Sequence, residues 1–124
     1  MNVKKLVQGL AYLGDVDGKR QTYYVFQGDG FYLVLSFSKT KPKAGNFNIV
    51  DSEAVEYVRN RFRGKKAVTA NDVVARSRRS SHARTSLIAL NILYVLAALG
   101  DLSVDATRAD PKLYFNFKSG RAGR

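Results

Sequence analysis

The stretch Ala75–Gly100, "ARSRRSSHARTSLIALNILYVLAALG", decides how the rest of the chain is read. Its first half is basic or hydroxyl-bearing and its second half is apolar. Ser80 or Ser81 is a natural helix N-cap, and Gly100 is a natural stop. The pattern predicts one helix between them, with His82 and Arg84 in its first turn or so. From Leu87 to Leu99 the apolar residues surround too much of that helix for one narrow face. It is therefore expected to be central, touching other helices and a sheet.

Downstream, "DLSVDATRADPKLYFNFK" (Asp101–Lys118) reads as a strand, a turn-rich loop with Pro111, and a second strand. Leu113, Phe115 and Phe117 alternate with Tyr114, Asn116 and Lys118. Residues 119–124, "SGRAGR", read as a basic tail. Upstream, Thr69 is expected to cap a short helix in "ANDVVARS", with Val73 and Val74 inward. Before it, "DSEAVEYVRNRFRG" carries Ala54, Val55, Val58 and Phe62 on a helical stripe. Asp51 or Ser52 is its expected cap and Gly64 its stop. Acids in the first turn and Arg in the last suit the helix dipole.

The N-terminal part has β character. "QTYYVF" and "FYLVLSF" are joined by "QGDG", which suits a tight hairpin. In the second run Phe31, Leu33, Leu35 and Phe37 share one face, expected to be the core face. Tyr32, Val34, Ser36 and Ser38 share the other. "KTKPKAG" interrupts, and "NFNIV" alternates again with Phe47 and Ile49 on one face. About three antiparallel strands are expected up to Val50. In "NVKKLVQGLAYLG", Val3, Leu6, Leu10 and Leu13 lie near helical spacing, so a helix ending at Gly14 competes with a strand. "GDVDGKR" follows as a turn-rich break.

The chain has 124 residues, 45% hydrophobic and 25% charged, which is enough for a compact core. Its 21 Lys and Arg against 10 acids give a net charge of +11. Such an excess either solvates a surface or meets a polyanion, of which nucleic acid is the commonest. There is no Cys, which excludes disulfides and thiolate metal sites. "MNVKKLVQGL" has no cleavable signal pattern, and "LIALNILYVLAALG" is too short to span a bilayer. The expectation is a cytoplasmic or nucleoid-associated protein with no membrane partner.

No catalytic constellation emerges, so the expectation is a non-enzyme without a cofactor. His82 is the one histidine and has no partner for metal binding. "GDVDG" does not match a Ca²⁺ loop, and "QGDG" leads into a strand rather than a phosphate-binding helix. Asp15, Asp17 and Asp29 are the sole carboxylate group that a metal-dependent nuclease could use.

From Asp51 onward the order is helix, short extended link, helix, longer helix, strand, loop, strand. This order resembles the winged helix-turn-helix family, over roughly Asp51 to Lys118. "AVTANDVVARS" looks like the link and capped second helix, "LAALGDLSV" like the end of a recognition helix and the first wing strand. "DATRADP" would be the wing tip and "KLYFNF" the returning strand. "SSHARTSLIAL" is also similar, over some twenty residues, to part of the winged-helix small-subunit ribosomal protein of archaea and eukaryotes. The fold expectation is therefore α+β: a β-rich part (1–50) packed with a winged helix-turn-helix (51–118), as one compact unit.

The resemblance implies that the third helix enters a major groove by its N-terminal end while the second helix and wing contact phosphates. Independently, nine basic residues lie from Arg59 to Arg84 with Asp72 as the one acid after Arg59. The candidate nucleic-acid-binding residues are Lys65, Lys66, Arg76, Arg78, Arg79, Ser81, His82, Arg84, Thr85, Arg108 and Lys112. Each has a bland reading too: a solvated loop for the arginines, a cap for the hydroxyls, and packing of its stem for Arg84. Arg59, Arg61 and Arg63 read as helix-end charge bias or as part of the same surface. Tyr24 and Tyr32 read as base-stacking aromatics or as buried ones.

Three functions fit. The first is a DNA-binding protein, regulatory or architectural, favouring duplex DNA, with a sheet that either mediates a homodimer or contacts a partner. The second is an RNA-binding or ribosome-associated protein. The third is a protein-interaction winged helix with an acidic partner.

Overall fold

The computed structural model describes residues 8–18, 21–38, 45–77, 82–105 and 112–119. The element order is β1 (Ala11–Asp17), β2 (Gln21–Gln27), β3 (Phe31–Ser38), β4 (Gly45–Asp51), α1 (Ser52–Arg61), α2 (Ala70–Arg76), α3 (Ser86–Leu99), β5 (Leu102–Val104) and β6 (Phe115–Phe117). The first four strands form an antiparallel sheet in sequence order, and β5 pairs with β6. This is a mixed chain of the α+β kind, with sheet first and helices after.

Of the two readings of the first segment, the strand holds over Ala11–Asp17, and residues 1–7 lie outside the described residues. Gly9 and Gly14 disfavour a helix, and Tyr12 and Asp15–Asp17 instead find partners on β2. The register slips between Tyr12 and Gly14, so Leu13 is the extra residue of a bulge. Gly14 has φ +153°, which side-chain-bearing residues rarely adopt. Asp15 and Asp17 consequently lie within a strand rather than in a turn, and four strands precede α1 rather than three. The expected β2–β3 hairpin is present, with the Gly28 N–H donating to Phe31 O at 2.9 Å.

The face of β3 that meets the helices is the opposite of the expected one. Register places Gly14, Val25, Val34 and Asn48 in one row, and Tyr32 and Val50 in another row on the same face. Val25, Tyr32, Val34 and Val50 belong to the core shared with the helices. Leu33 and Leu35 are also buried, but on the far face, between Phe26 and Ile49 and between Tyr24 and Phe47 respectively. A central strand apolar on both sides carries no alternation to settle its orientation. Tyr32 is therefore core, while Phe47 and Ile49 remain 47% and 58% exposed.

The helical half follows its local signals closely. Asp51 caps α1, and Ala54, Val55 and Val58 are buried. Thr69 caps α2 through a capping box: Thr69 Oγ1 accepts from the Asp72 N–H at 3.2 Å, and Asp72 Oδ2 accepts from the Thr69 N–H at 3.0 Å. At the end of α3, Gly100 is left-handed at φ +86°, and Asp101 N donates to Leu96 O at 2.9 Å. Phe115 and Phe117 point inward, as the alternation predicts. Val68, between α1 and α2, exchanges two backbone hydrogen bonds with Phe115, of 2.9 and 2.8 Å. The β5–β6 pair thus gains a third extended segment.

The core runs from Val16 and Val25 of the sheet through α3 to Phe115 and Phe117. Each such aliphatic or aromatic side chain contributes roughly 1.5–3 kcal/mol by burial. Among the described residues no helix is long and apolar enough to cross a membrane.

Phe115 is fully buried and packs edge-on against Tyr94, with ring centroids 6.3 Å apart. Phe115→Ala is expected to destabilise the fold by about 3–5 kcal/mol in urea unfolding. A loss below about 1 kcal/mol would show that this strand does not close the core.

Candidate nucleic-acid interface

The largest correction concerns the start of α3. The helix begins at Ser86, not at Ser80 or Ser81, and its cap is Thr85, whose Oγ1 accepts from Ile88 N at 3.2 Å. His82 and Arg84 therefore lie in the turn before the helix. Tertiary contacts hold that turn open: Ala83 is buried, and the His82 ring lies against Tyr57 of α1 with centroids 5.0 Å apart. Burial of Ala83 and the extended backbone of Thr85 (φ −128°, ψ 159°) leave no continuous helix through these residues. The first turn of α3 presents Leu87 and Ile88 to solvent, 60% and 43% exposed, where a polar leading end was expected.

The same turn lies beside a second basic element. Tyr57 and Arg61 are four residues apart on α1 and share a side of it. Arg61 Nε donates to the Arg76 carbonyl oxygen at 3.0 Å, fastening the end of α2 to the end of α1. That bond satisfies one orphan carbonyl of α2. It also brings two guanidinium-bearing residues together, both exposed. Tyr57 holds His82 on the same side, and Arg84, exposed, follows two residues on.

Three acids around this region are engaged, while Glu53, exposed on α1, lies one turn before Tyr57. Asp72 serves the capping box. Glu56 and Asp101 both bind Arg59, the latter through Arg59 Nε at 3.0 Å. Burial pulls the Arg59 guanidinium down, but hydrogen bonding to Glu56 and the charge of Asp101 outweigh it and leave its pKa above the ordinary value. Arg59 is thus a tie between α1 and the start of β5. Arg63 donates to Asn60 Oδ1 at 2.8 Å.

The remaining predicted residues are spread out. Lys65 and Lys66 are exposed on the segment beside β6, where Lys66 Nζ donates to Phe117 O at 3.5 Å. Lys112 lies at the other end of α2, beside Thr69 and Asn71, lining a hollow of about 210 Å³. Thr85 is spent as a cap. Arg78, Arg79, Ser81 and Arg108 lie outside the described residues, as do Ser80 and most of the expected wing tip. The structure therefore joins Arg76 to Arg61 and His82 to Tyr57, with Arg84 two residues beyond His82, and does not join Lys112 to them through any contact described.

Sequence reasoning missed Tyr57 as a positioning residue and left Arg61 undecided. The i,i+4 spacing of Tyr57 and Arg61 was the available signal. Among the described residues no three His, Asp or Glu side chains gather as a metal site. Asp15 and Asp17 alternate along β1, and Asp17 Oδ1 accepts from the Thr22 hydroxyl at 3.0 Å.

Thr85→Ala should cost about 1 kcal/mol, and Thr85→Ser should restore most of it. Helicity measured by amide exchange at Leu87–Ala89 should fall first in the alanine variant. A neutral outcome for Thr85→Ala would place the helix start elsewhere.

No family model, curated protein or solved structure matches the chain.

Proposed function

We propose that the chain is a non-enzymatic nucleic-acid-binding protein that contacts duplex DNA through the surface formed by Arg61, Arg76, His82 and Arg84, in a winged helix-turn-helix arrangement. The observation that carries this reading is the junction of α1, α2 and the turn before α3. It collects exposed guanidinium groups while Asp72 is committed to a cap and Glu56 and Asp101 to Arg59. A phosphate-tracking surface requires that imbalance.

The winged arrangement is supported by order and pairing. Helix, Val68, helix, helix and a strand pair closing on Val68 follow one another as in that family. Within this reading Arg61 and Arg76 contact phosphates, and Arg84 reaches the base edges or the adjoining backbone. Leu87 and Ile88, exposed on the first turn of α3, meet apolar groups such as the thymine methyl. The homodimer belongs to the same proposal: the outward face of the sheet, with Tyr12, Phe47 and Ile49 exposed, is the apolar surface a second copy would cover.

The test is affinity for a random-sequence duplex as a function of salt. Arg76→Ala and Arg84→Ala should each weaken binding and reduce the slope of log K against log salt by about 1. Arg59→Ala should lower stability and leave the slope unchanged. Absence of duplex binding at low salt, or slopes unaltered by Arg76→Ala and Arg84→Ala, would overturn the proposal. A strong preference for structured RNA at physiological salt would transfer the same surface to RNA.

A further inference from the structure

The helix-facing side of the sheet is apolar over most of its area, yet one end of it is not. There Gln21, Ser36, Asn46 and Asn48 follow Tyr23 and Val34 in register on the same face. These polar groups line a cleft of about 400 Å³ between the sheet and the first half of α3. Leu87, Leu90, Asn91 and Tyr94 form the opposite wall. The volume is that of a small-molecule site.

Three properties define what the cleft can hold. Among the described residues no charged side chain lines it. Burial, reinforced by a hydrogen bond with Tyr23, holds the Tyr94 phenol above the ordinary tyrosine range, so it stays neutral. Second, one end is closed by aromatic rings: Tyr23 of the sheet and Tyr94 of α3 stack across it with centroids 3.9 Å apart and planes at 21°. Third, four carboxamide side chains line it, Gln21, Asn46, Asn48 and Asn91, a group that carries both donors and an acceptor. Asn91 is only 4% exposed; its Nδ2 donates to Leu87 O at 2.9 Å, and its Oδ1 has no hydrogen-bond partner. A buried acceptor left unpaired is costly, and inward carboxamides on a sheet face are disfavoured unless something satisfies them.

We propose that this cleft is a binding site for one unpaired nucleobase. A base is flat, neutral and edged with alternating donors and acceptors, which side-chain carboxamides can pair in bidentate fashion. Among neutral flat ligands the nucleobase is chosen because it arrives attached to an anion that the basic chain attracts, and to that extent the inference rests on the polyanion reading. Leu87, exposed at the mouth, is three residues from Arg84, so a strand held at Arg84 has a short path into the cleft.

The experiment titrates the full chain with the free nucleosides and with single-stranded tetranucleotides of each base. Tyrosine fluorescence is the readout, since the chain has no Trp. Saturable binding is expected, with preference among bases. Asn48→Leu and Gln21→Ala, each checked for an unchanged melting temperature, should weaken it about tenfold, as expected for loss of a well-made hydrogen bond. The same variants should leave the salt dependence of duplex binding unchanged. Binding of nucleosides indicates a free ligand, and binding of tetranucleotides alone indicates a base within a strand; both uphold the site. Binding of neither, or binding indifferent to both substitutions, overturns it. Nucleoside binding without any duplex binding would retain the cleft and remove the duplex proposal, so the two fail separately.

Discussion

The structure depends on Tyr94. Its ring stacks on Tyr23 of the large sheet and meets Phe115 of the small one edge-on, and it is almost wholly buried. One side chain of α3 therefore touches both sheets. An apolar helix of this kind is stable only when enclosed, and here the sheet, α1, α2 and the β5–β6 pair enclose it. The enclosure is incomplete at its N-terminal end, where Leu87 and Ile88 emerge beside Arg84. This apolar helix thus begins next to exposed Arg84.

That surface is an outcome of packing as much as of composition. Arg59, Arg61 and Arg63 look equivalent in sequence, yet they have three different partners: two acids, a backbone carbonyl and Asn60. Arg61 and Arg76 are exposed, and the contact between them uses a carbonyl rather than a carboxylate, so it cancels no charge. Exposed ion pairs contribute little to stability, so an unpaired excess of arginine here costs the fold little and leaves its charge available to a polyanion.

Much of the helical half was legible in the sequence because its signals are local. Asp51, Thr69 and Gly100 act through hydrogen bonds to residues a few positions away, and Phe115 and Phe117 share a simple alternation. The errors lie where distant contacts decide. Both faces of β3 are apolar, so only its packing against α3 could choose between Tyr32–Val34 and Leu33–Leu35. In "NFNIV" Phe47 and Ile49 face outward while Asn46 and Asn48 share the inner face with Val50, the reverse of the ordinary rule for the first four residues, and this inversion places polar groups along the cleft. Ser80 and Ser81 were as good a cap as Thr85 by type; the burial of Ala83 and the Tyr57–His82 contact favour Thr85. Of the candidate site, the residue types were readable, but the fastening of Arg61 to Arg76 was not.

The most direct measurement is amide chemical-shift mapping of the full chain during titration with a short DNA duplex. The account predicts perturbations concentrated at Tyr57, Arg61, Arg76 and His82–Ile88, growing as salt is lowered. Shifts confined to the outward sheet face around Tyr24, Phe47 and Ile49, or none with any nucleic acid, would contradict it.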